Sequence, residues 1–162
     1  MVTRMDQSSR RFQPTADHTL DFRSDKVREL HRYWDSKRAG RAMPQRADIE
    51  PTEIPSLLPH IALIGVESEP RRLYYRLIGT HITEALGRDN TGKYFEEAFQ
   101  GLMLEDITRV YDAVITSREP IRYFGQALYS KNEYREYDSV HLPLSEDGTA
   151  VSIILVGQEY FF

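Results

Sequence analysis

No cysteine occurs among the 162 residues, so disulfides, thiolate metal sites, iron–sulfur clusters and a cysteine nucleophile are all excluded. Charge of one sign is also scarce. Lys and Arg total 21 against 25 Asp and Glu, a net charge of −4, whereas a nucleic-acid binder needs a basic footprint to neutralise phosphates. Long apolar runs are missing as well: the strongest, Val151 to Val156, is far too short to span a bilayer. Met1 to Asp17 is polar and carries Arg4, Arg10 and Arg11 with no apolar stretch behind them. That is neither a secretory leader nor a membrane anchor. The resulting expectation is no membrane, no nucleic acid and, by default, a cytoplasmic location.

What is present suffices for one core. The chain is 40% hydrophobic and 28% charged, with 10 Tyr, 7 Phe and 1 Trp, an ordinary globular balance. Residues 1–21 read as a flexible arm. Residues 22–59 follow as an N-terminal helix with short helical turns, and 60–162 as the main domain. The helix is predicted from Ser24 to Ala39, with Ser24 as N-cap and Gly40 closing the far end. Its apolar stripe is Val27, Leu30 and Trp34. Three prolines between Met43 and Pro55 permit only short turns up to Leu58.

Two strands are predicted next, Ile61–Glu67 and Leu73–Ile78, joined by a charged turn. Thr80 can cap a short helix, Ile82–Leu86, and another piece covers Tyr94–Phe99. A longer amphipathic helix occupies Leu102–Ser117. Three further strand-like runs follow: Ile121–Tyr129, Tyr137–Leu144 and Thr149 to about Tyr160. Lys131-Asn-Glu and Ser145-Glu-Asp-Gly supply the turns between them. The apolar run Val151–Val156 hardly alternates, which places it in the sheet interior with both faces covered.

Helix, two strands, a group of helices and three strands is the order of a PAS fold, and the chain resembles that fold from Leu30 to Val156. More closely, it resembles a bacterial family of single-domain PAS-like proteins typical of alphaproteobacteria. The pieces that carry the likeness are Tyr33-Trp34, Gly40-Arg-Ala-Met-Pro-Gln-Arg-Ala-Asp-Ile-Glu-Pro, Leu57-Leu-Pro-His-Ile, Arg76-Leu-Ile-Gly-Thr, Gly87-Arg-Asp-Asn-Thr-Gly-Lys and His141-Leu-Pro-Leu-Ser-Glu-Asp-Gly. The resemblance implies an α+β domain, with a five-stranded antiparallel sheet carrying helices on one face and the N-terminal helix packed outside it. It also implies a sensory or regulatory module with a central pocket, and names no ligand.

Gly87 to Tyr94 nearly spells a phosphate loop, but Tyr94 stands where a short hydroxyl is needed. The setting also lacks the parallel strand such a loop leaves. Gly87 closing a helix and Asp89-Asn90 making a turn explain it better. His81 and Glu84 share a helical face, yet two ligands close no metal site. In haem-binding PAS domains the iron ligand comes from the helical region after the second strand. Leu86 to Ile121 contains no histidine, so haem is disfavoured. Without cysteine a covalent flavin adduct is excluded, while non-covalent flavin stays open; the cofactor is unassigned.

Tyr75, Tyr111, Tyr123 and His141 are the candidate ligand-binding residues, because each joins an apolar body to a polar tip. Filling the core is the competing role for each. Arg46, near Asp48, is a further candidate, either fastening the N-terminal segment or holding a carboxylate.

No enzyme is expected, since no nucleophile–base pair or convergent carboxylates stand out. Two alternatives stay open: a small-molecule enzyme on a cone-shaped α+β fold, using Asp89 with His81 or His141, and a ligand-free protein–protein adaptor with a filled core. With no output segment among the remaining residues, an unidentified small molecule and a signalling protein in trans are the expected partners. A homodimer is expected as well, through Val27, Leu30, Trp34, Ile153 and Leu155.

Overall fold

Ser24 starts the first helix as its chemistry dictates: its hydroxyl accepts the Val27 N–H at 3.1 Å, satisfying one of the free donors of the first turn. The computed structural model describes residues 11–127 and 134–162. In chain order the elements are β1 (Thr15–Asp17), α1 (Asp25–Lys37), three 3-10 turns (Arg46–Asp48, Pro51–Glu53, Pro55–His60), β2 (Ile61–Glu67), β3 (Arg72–Ile78), α2 (Thr80–Leu86), α3 (Phe95–Ala98), α4 (Gly101–Ser117), β4 (Ile121–Gln126), β5 (Glu136–Leu144) and β6 (Ile153–Phe161). All strand pairs are antiparallel, in the order β1-β4-β5-β6-β2-β3.

The five expected strands form a continuous sheet. A sixth comes from the segment read as a flexible arm: Thr15, Ala16 and Asp17 pair with Phe124, Tyr123 and Arg122. The polar composition of that arm hid the side-chain bonds that fix it. Asp17 accepts from Arg122 Nη1 at 3.1 Å and from the backbone of Thr19 and Asp21. The last strand begins at Ile153 and not at Thr149, because Asp147 Oδ1 captures the N–H groups of Thr149 and Ala150 at 2.8 and 2.9 Å. Gly79, not Thr80, caps α2; a side chain there would stand 2.3 Å from the Pro59 carbonyl oxygen. Residues 1–10, Tyr129 and the Lys131-Asn-Glu turn lie outside the described residues.

Each face of the sheet carries its own core. Ala62, Ile64, Leu73, Tyr75, Ile154 and Val156 face α2, α3 and α4. On the other face Leu63, Val140, Leu142, Leu144, Ile153 and Leu155 pack under Val27, Leu30 and Trp34 of α1. The helix sits close enough that a side chain at Gly157 would meet Leu30 Cδ2 at 2.7 Å. This corrects the expected dimer surface. Val27, Leu30, Trp34, Ile153 and Leu155 are each buried within the chain, so the stripe covers the chain's own sheet and offers no docking face.

Two polar anchors fix this outer layer. Trp34 Nε1 donates to the Pro143 carbonyl at 2.9 Å. Pro143 lies past His141, the last β5 residue paired with β4, so its missing N–H costs no ladder bond and its carbonyl is left for the indole. Asp138, fully buried on β5, accepts from the backbone N–H groups of Arg23 and Ser24 at 2.8 Å each and from Arg122 Nε at 2.7 Å. One carboxylate thereby ties β4, β5 and the start of α1 together. Removing one partner of a buried pair costs about 3–5 kcal/mol. Asp138→Ala is therefore expected to destabilise the fold by about 3 kcal/mol in urea unfolding, and an effect below about 1 kcal/mol would refute the anchoring role.

Candidate functional site

Between the inner face of the sheet and the helices lies a cavity of about 50 Å³. β2, β3, β5 and β6 supply its floor through Ala62, Tyr75, His141 and Val156, with Gln158 and Tyr160 at one end. Ile82 and Leu86 from α2, Phe99, and Met103, Ile107 and Tyr111 from α4 form the roof, and Phe12 completes the lining. The spacing of α4 explains its share: positions 103, 107 and 111 recur every four residues and present one helical face.

Three of the five expected ligand-binding residues meet here. Tyr75, Tyr111 and His141 all line the cavity. Tyr123 stands behind them, its ring 5.1 Å from His141 and edge-on to it. Its hydroxyl donates to the Val110 carbonyl at 3.2 Å, which makes it a support for His141 and not a lining group. Arg46 is elsewhere. Its Nη1 donates to the Ile49 carbonyl at 3.0 Å, while Asp48 accepts from Arg41 at 2.7 Å. Arg46 thus fastens its own turn and holds no ligand in the cavity.

The electrostatics of the cavity are unusual for so enclosed a space. His141 is 3% exposed, with the Tyr111 ring edge-on at 5.0 Å. Its Nδ1 has no hydrogen-bond partner among the described residues. Burial pushes its pKa down to about 3, because an apolar surround disfavours the charged ring. Burial likewise raises the Tyr75 and Tyr111 hydroxyls above their ordinary values. All three groups are neutral at physiological pH. Gln158 accepts from the Tyr160 hydroxyl at 3.3 Å.

The other chemistry weighed from sequence is used up structurally. Gly87 caps α2 with φ 71°, and Asp89 Oδ1 accepts the Thr91 N–H and hydroxyl at 2.9 and 2.6 Å. The Gly92 N–H donates to the Tyr75 carbonyl at 2.7 Å, and Tyr75 returns a bond to Lys93, so this loop is stitched to β3. His81 Nε2 accepts the Tyr160 N–H at 3.1 Å, and His60 Nδ1 lies 3.0 Å from the Gln158 carbonyl. β2 stops pairing with β6 at Gly157, and these two imidazoles, 4.3 Å apart, serve the backbone beyond it. Burial first, then the neighbouring His60, lowers the His81 pKa. No hydrogen bond or ion pair joins Asp89 to either His81 or His141 among the described residues.

Sequence reasoning missed Phe12, Phe99, Met103 and Gln158 as lining residues. Gln158 left a signal, a lone amide following the apolar run of the last strand. Phe12 left none, since nothing local marks a ring in a polar arm as docked.

An antiparallel sheet roofed by helices over a small cavity lined by no charged residue defines the class: an α+β domain of PAS-like architecture. The chain belongs to the PAS domain family, which matches residues 22–156. No curated protein and no solved structure matches the chain significantly. No helix among the described residues is long and apolar enough to cross a membrane.

The depressed His141 pKa makes stability pH-dependent. The unfolded chain takes a proton on this ring near pH 6.5 and the folded chain only near 3, so its contribution is present above about 6.5 and is lost as pH falls toward 3. With about 1.36 kcal/mol per pH unit, the loss from this ring between pH 7 and pH 5 is about 2 kcal/mol. His141→Phe is expected to remove that share of the slope in unfolding measured at both pH values. An unchanged slope would show that the ring is hydrated or paired in solution.

Proposed function

We propose that the protein is a sensory or regulatory PAS module that binds a small organic ligand in the cavity beneath α2 and α4 and acts without catalysing a reaction. The observation that carries this reading is the His141 nitrogen without a partner among the described residues, in a mostly apolar cavity that the Tyr75 and Tyr111 rings also line. A buried polar atom left unpaired is costly, and a site shaped this way is how folds hold planar ligands with a polar tip. Signal transfer to a protein in trans is part of the proposal. Any self-association uses surfaces other than the α1 stripe, which is buried within the chain.

One observation favours a second reading, a ligand-free adaptor. The free volume of about 50 Å³ is small beside the roughly 300–1,000 Å³ of ordinary ligand sites.

Native mass spectrometry of protein purified from its own host, followed by thermal shift across a metabolite library, separates the two readings. A ligand at about a hundred times its Kd adds about 2.7 kcal/mol, which raises Tm by about 5–10 °C for a chain of this size. Tyr111→Phe is expected to reduce that shift for the same compound. A flat response across the library, with no retained mass, supports the adaptor and removes the sensor reading.

A further inference from the structure

Past Gly157, where β2 stops pairing with β6, two histidines take over the bonding side that β2 leaves. His81 Nε2 lies 3.1 Å from the Tyr160 nitrogen, and His60 Nδ1 lies 3.0 Å from the Gln158 carbonyl oxygen. These partners fix where each ring holds its proton. A backbone N–H only donates, so His81 Nε2 is bare and the neutral ring carries its proton on Nδ1. A carbonyl only accepts, so His60 carries its proton on Nδ1. A second proton therefore acts oppositely on the two rings. On His60 it goes to the far nitrogen and leaves the Gln158 bond whole. On His81 it lands on Nε2, sets one N–H against another, and ends the bond to Tyr160.

The bond at risk joins the two sides of the cavity. His81 stands in α2 next to Ile82 of the roof, and Tyr160 stands in β6 at one end of the floor, with Gln158. Its loss is local. The Gly79 N–H holds the start of α2 on the Ile61 carbonyl at 2.7 Å, and β6 stays paired with β5 as far as Phe161. The groups that face His81 come from every neighbour: His60 at 4.3 Å from the 3-10 turn, Glu84 from α2 itself, Glu159 and Tyr160 from β6, Lys26 from α1, and Tyr134 edge-on at 5.6 Å. Burial first, then His60, disfavours the proton on His81; Glu159 and Glu84 favour it and Lys26 opposes it, with a net lowering. The folded chain thus keeps this ring neutral at pH 7, and the stability it lends is lost as pH falls below about 6.5 and through the lowered value.

We propose that His81 is a proton-operated bolt between α2 and β6: its neutral ring accepts the Tyr160 N–H and fastens roof to floor, and its protonated ring swings away and leaves that N–H to water. His60 is the fixed half of the pair, holding the Gln158 carbonyl in both states. The effector is a proton in the mildly acidic range, and it acts at the end of the cavity that Gln158 and Tyr160 line. The bolt belongs to the fold whether or not the cavity takes a ligand, so its failure leaves the ligand reading untouched.

The test uses the full chain with no ligand added, as wild type and as His81→Gln. Nitrogen NMR of the imidazoles reads the tautomer of His81 and its titration, and hydrogen exchange at Tyr160 is read as protection relative to the intrinsic rate at each pH. The glutamine amide oxygen accepts the Tyr160 N–H at every pH, and the variant keeps His141, so it carries the same pH dependence of whole-chain unfolding. Between pH 7 and pH 5 the protection of Tyr160 is expected to fall about ten-fold more in the wild type than in His81→Gln, the effect of one linked proton over about one pH unit. At pH 7 the His81 proton is expected on Nδ1. An equal fall in both chains, a proton on Nε2 at pH 7, or a His81 ring that stays neutral until the whole chain unfolds overturns the bolt. The NMR readings need no substitution, so they decide the matter in the wild type if His81→Gln does not fold.

Discussion

Strands β5 and β6 carry apolar side chains toward both faces: Val140, Leu142, Leu144, Ile153 and Leu155 on one side, Ile154 and Val156 on the other. Water tolerates such a pair only when two separate layers cover it. The chain provides one layer before the sheet in sequence, as α1 and the 3-10 turns, and the other from its middle, as α2, α3 and α4. Most of the architecture follows from that demand. Ser24 and Asp138 fix where α1 begins, Trp34 fixes its far half on Pro143, and Gly157 lets it approach the strand closely.

The two layers do not cover equally well. The outer one is α1 with the 3-10 turns, and the five residues weighed as a docking stripe meet within it, Val27, Leu30 and Trp34 from the helix against Ile153 and Leu155 of the sheet. The inner one is assembled from three helices with an aromatic cluster beneath them. Phe95 packs against Tyr75 at 4.9 Å and Tyr111 at 5.0 Å. Rings that meet edge to face leave corners that aliphatic side chains would have filled. The cavity lies beside this cluster, lined by Tyr75, Tyr111 and His141. A neutral imidazole there, with Nδ1 lacking a partner among the described residues, is less favourable than an aliphatic side chain would be.

Much of this was legible in the sequence. Hydrophobic periodicity placed α1, α4 and β2 to within about two residues, the usual scatter of element ends. The unbroken apolar run of β6 correctly signalled cover on both faces. Tyr75, Tyr111 and His141 could be proposed as convergent because aromatic residues with polar tips fell on predicted inner strands and on the long helix. What sequence could not supply were contacts across long separations. Nothing near Arg11 reveals that Asp106 accepts from it, and nothing near Asp17 reveals Arg122. A polar segment fixed by a few distant carboxylates looks the same, letter by letter, as one that is not fixed. Of the two roles weighed for Arg46, fastening is the one its contacts fit: its guanidinium serves the Ile49 carbonyl and its N–H the Glu146 carboxylate, while its neighbour Asp48 turned to Arg41.

The margins of the sheet have a consequence of their own. On one side three residues, Thr15 to Asp17, run along β4. On the other, Gly92 and Lys93 exchange backbone bonds with Tyr75 of β3, and Tyr94 bridges to Tyr74. Each outermost long strand is thus hemmed by a short piece of its own chain, which occupies donors and acceptors that would otherwise recruit a foreign strand. Growth of the sheet into a neighbour must begin by lifting one of these hems. The chain carries its own restraint on strand-to-strand assembly at both margins of the sheet.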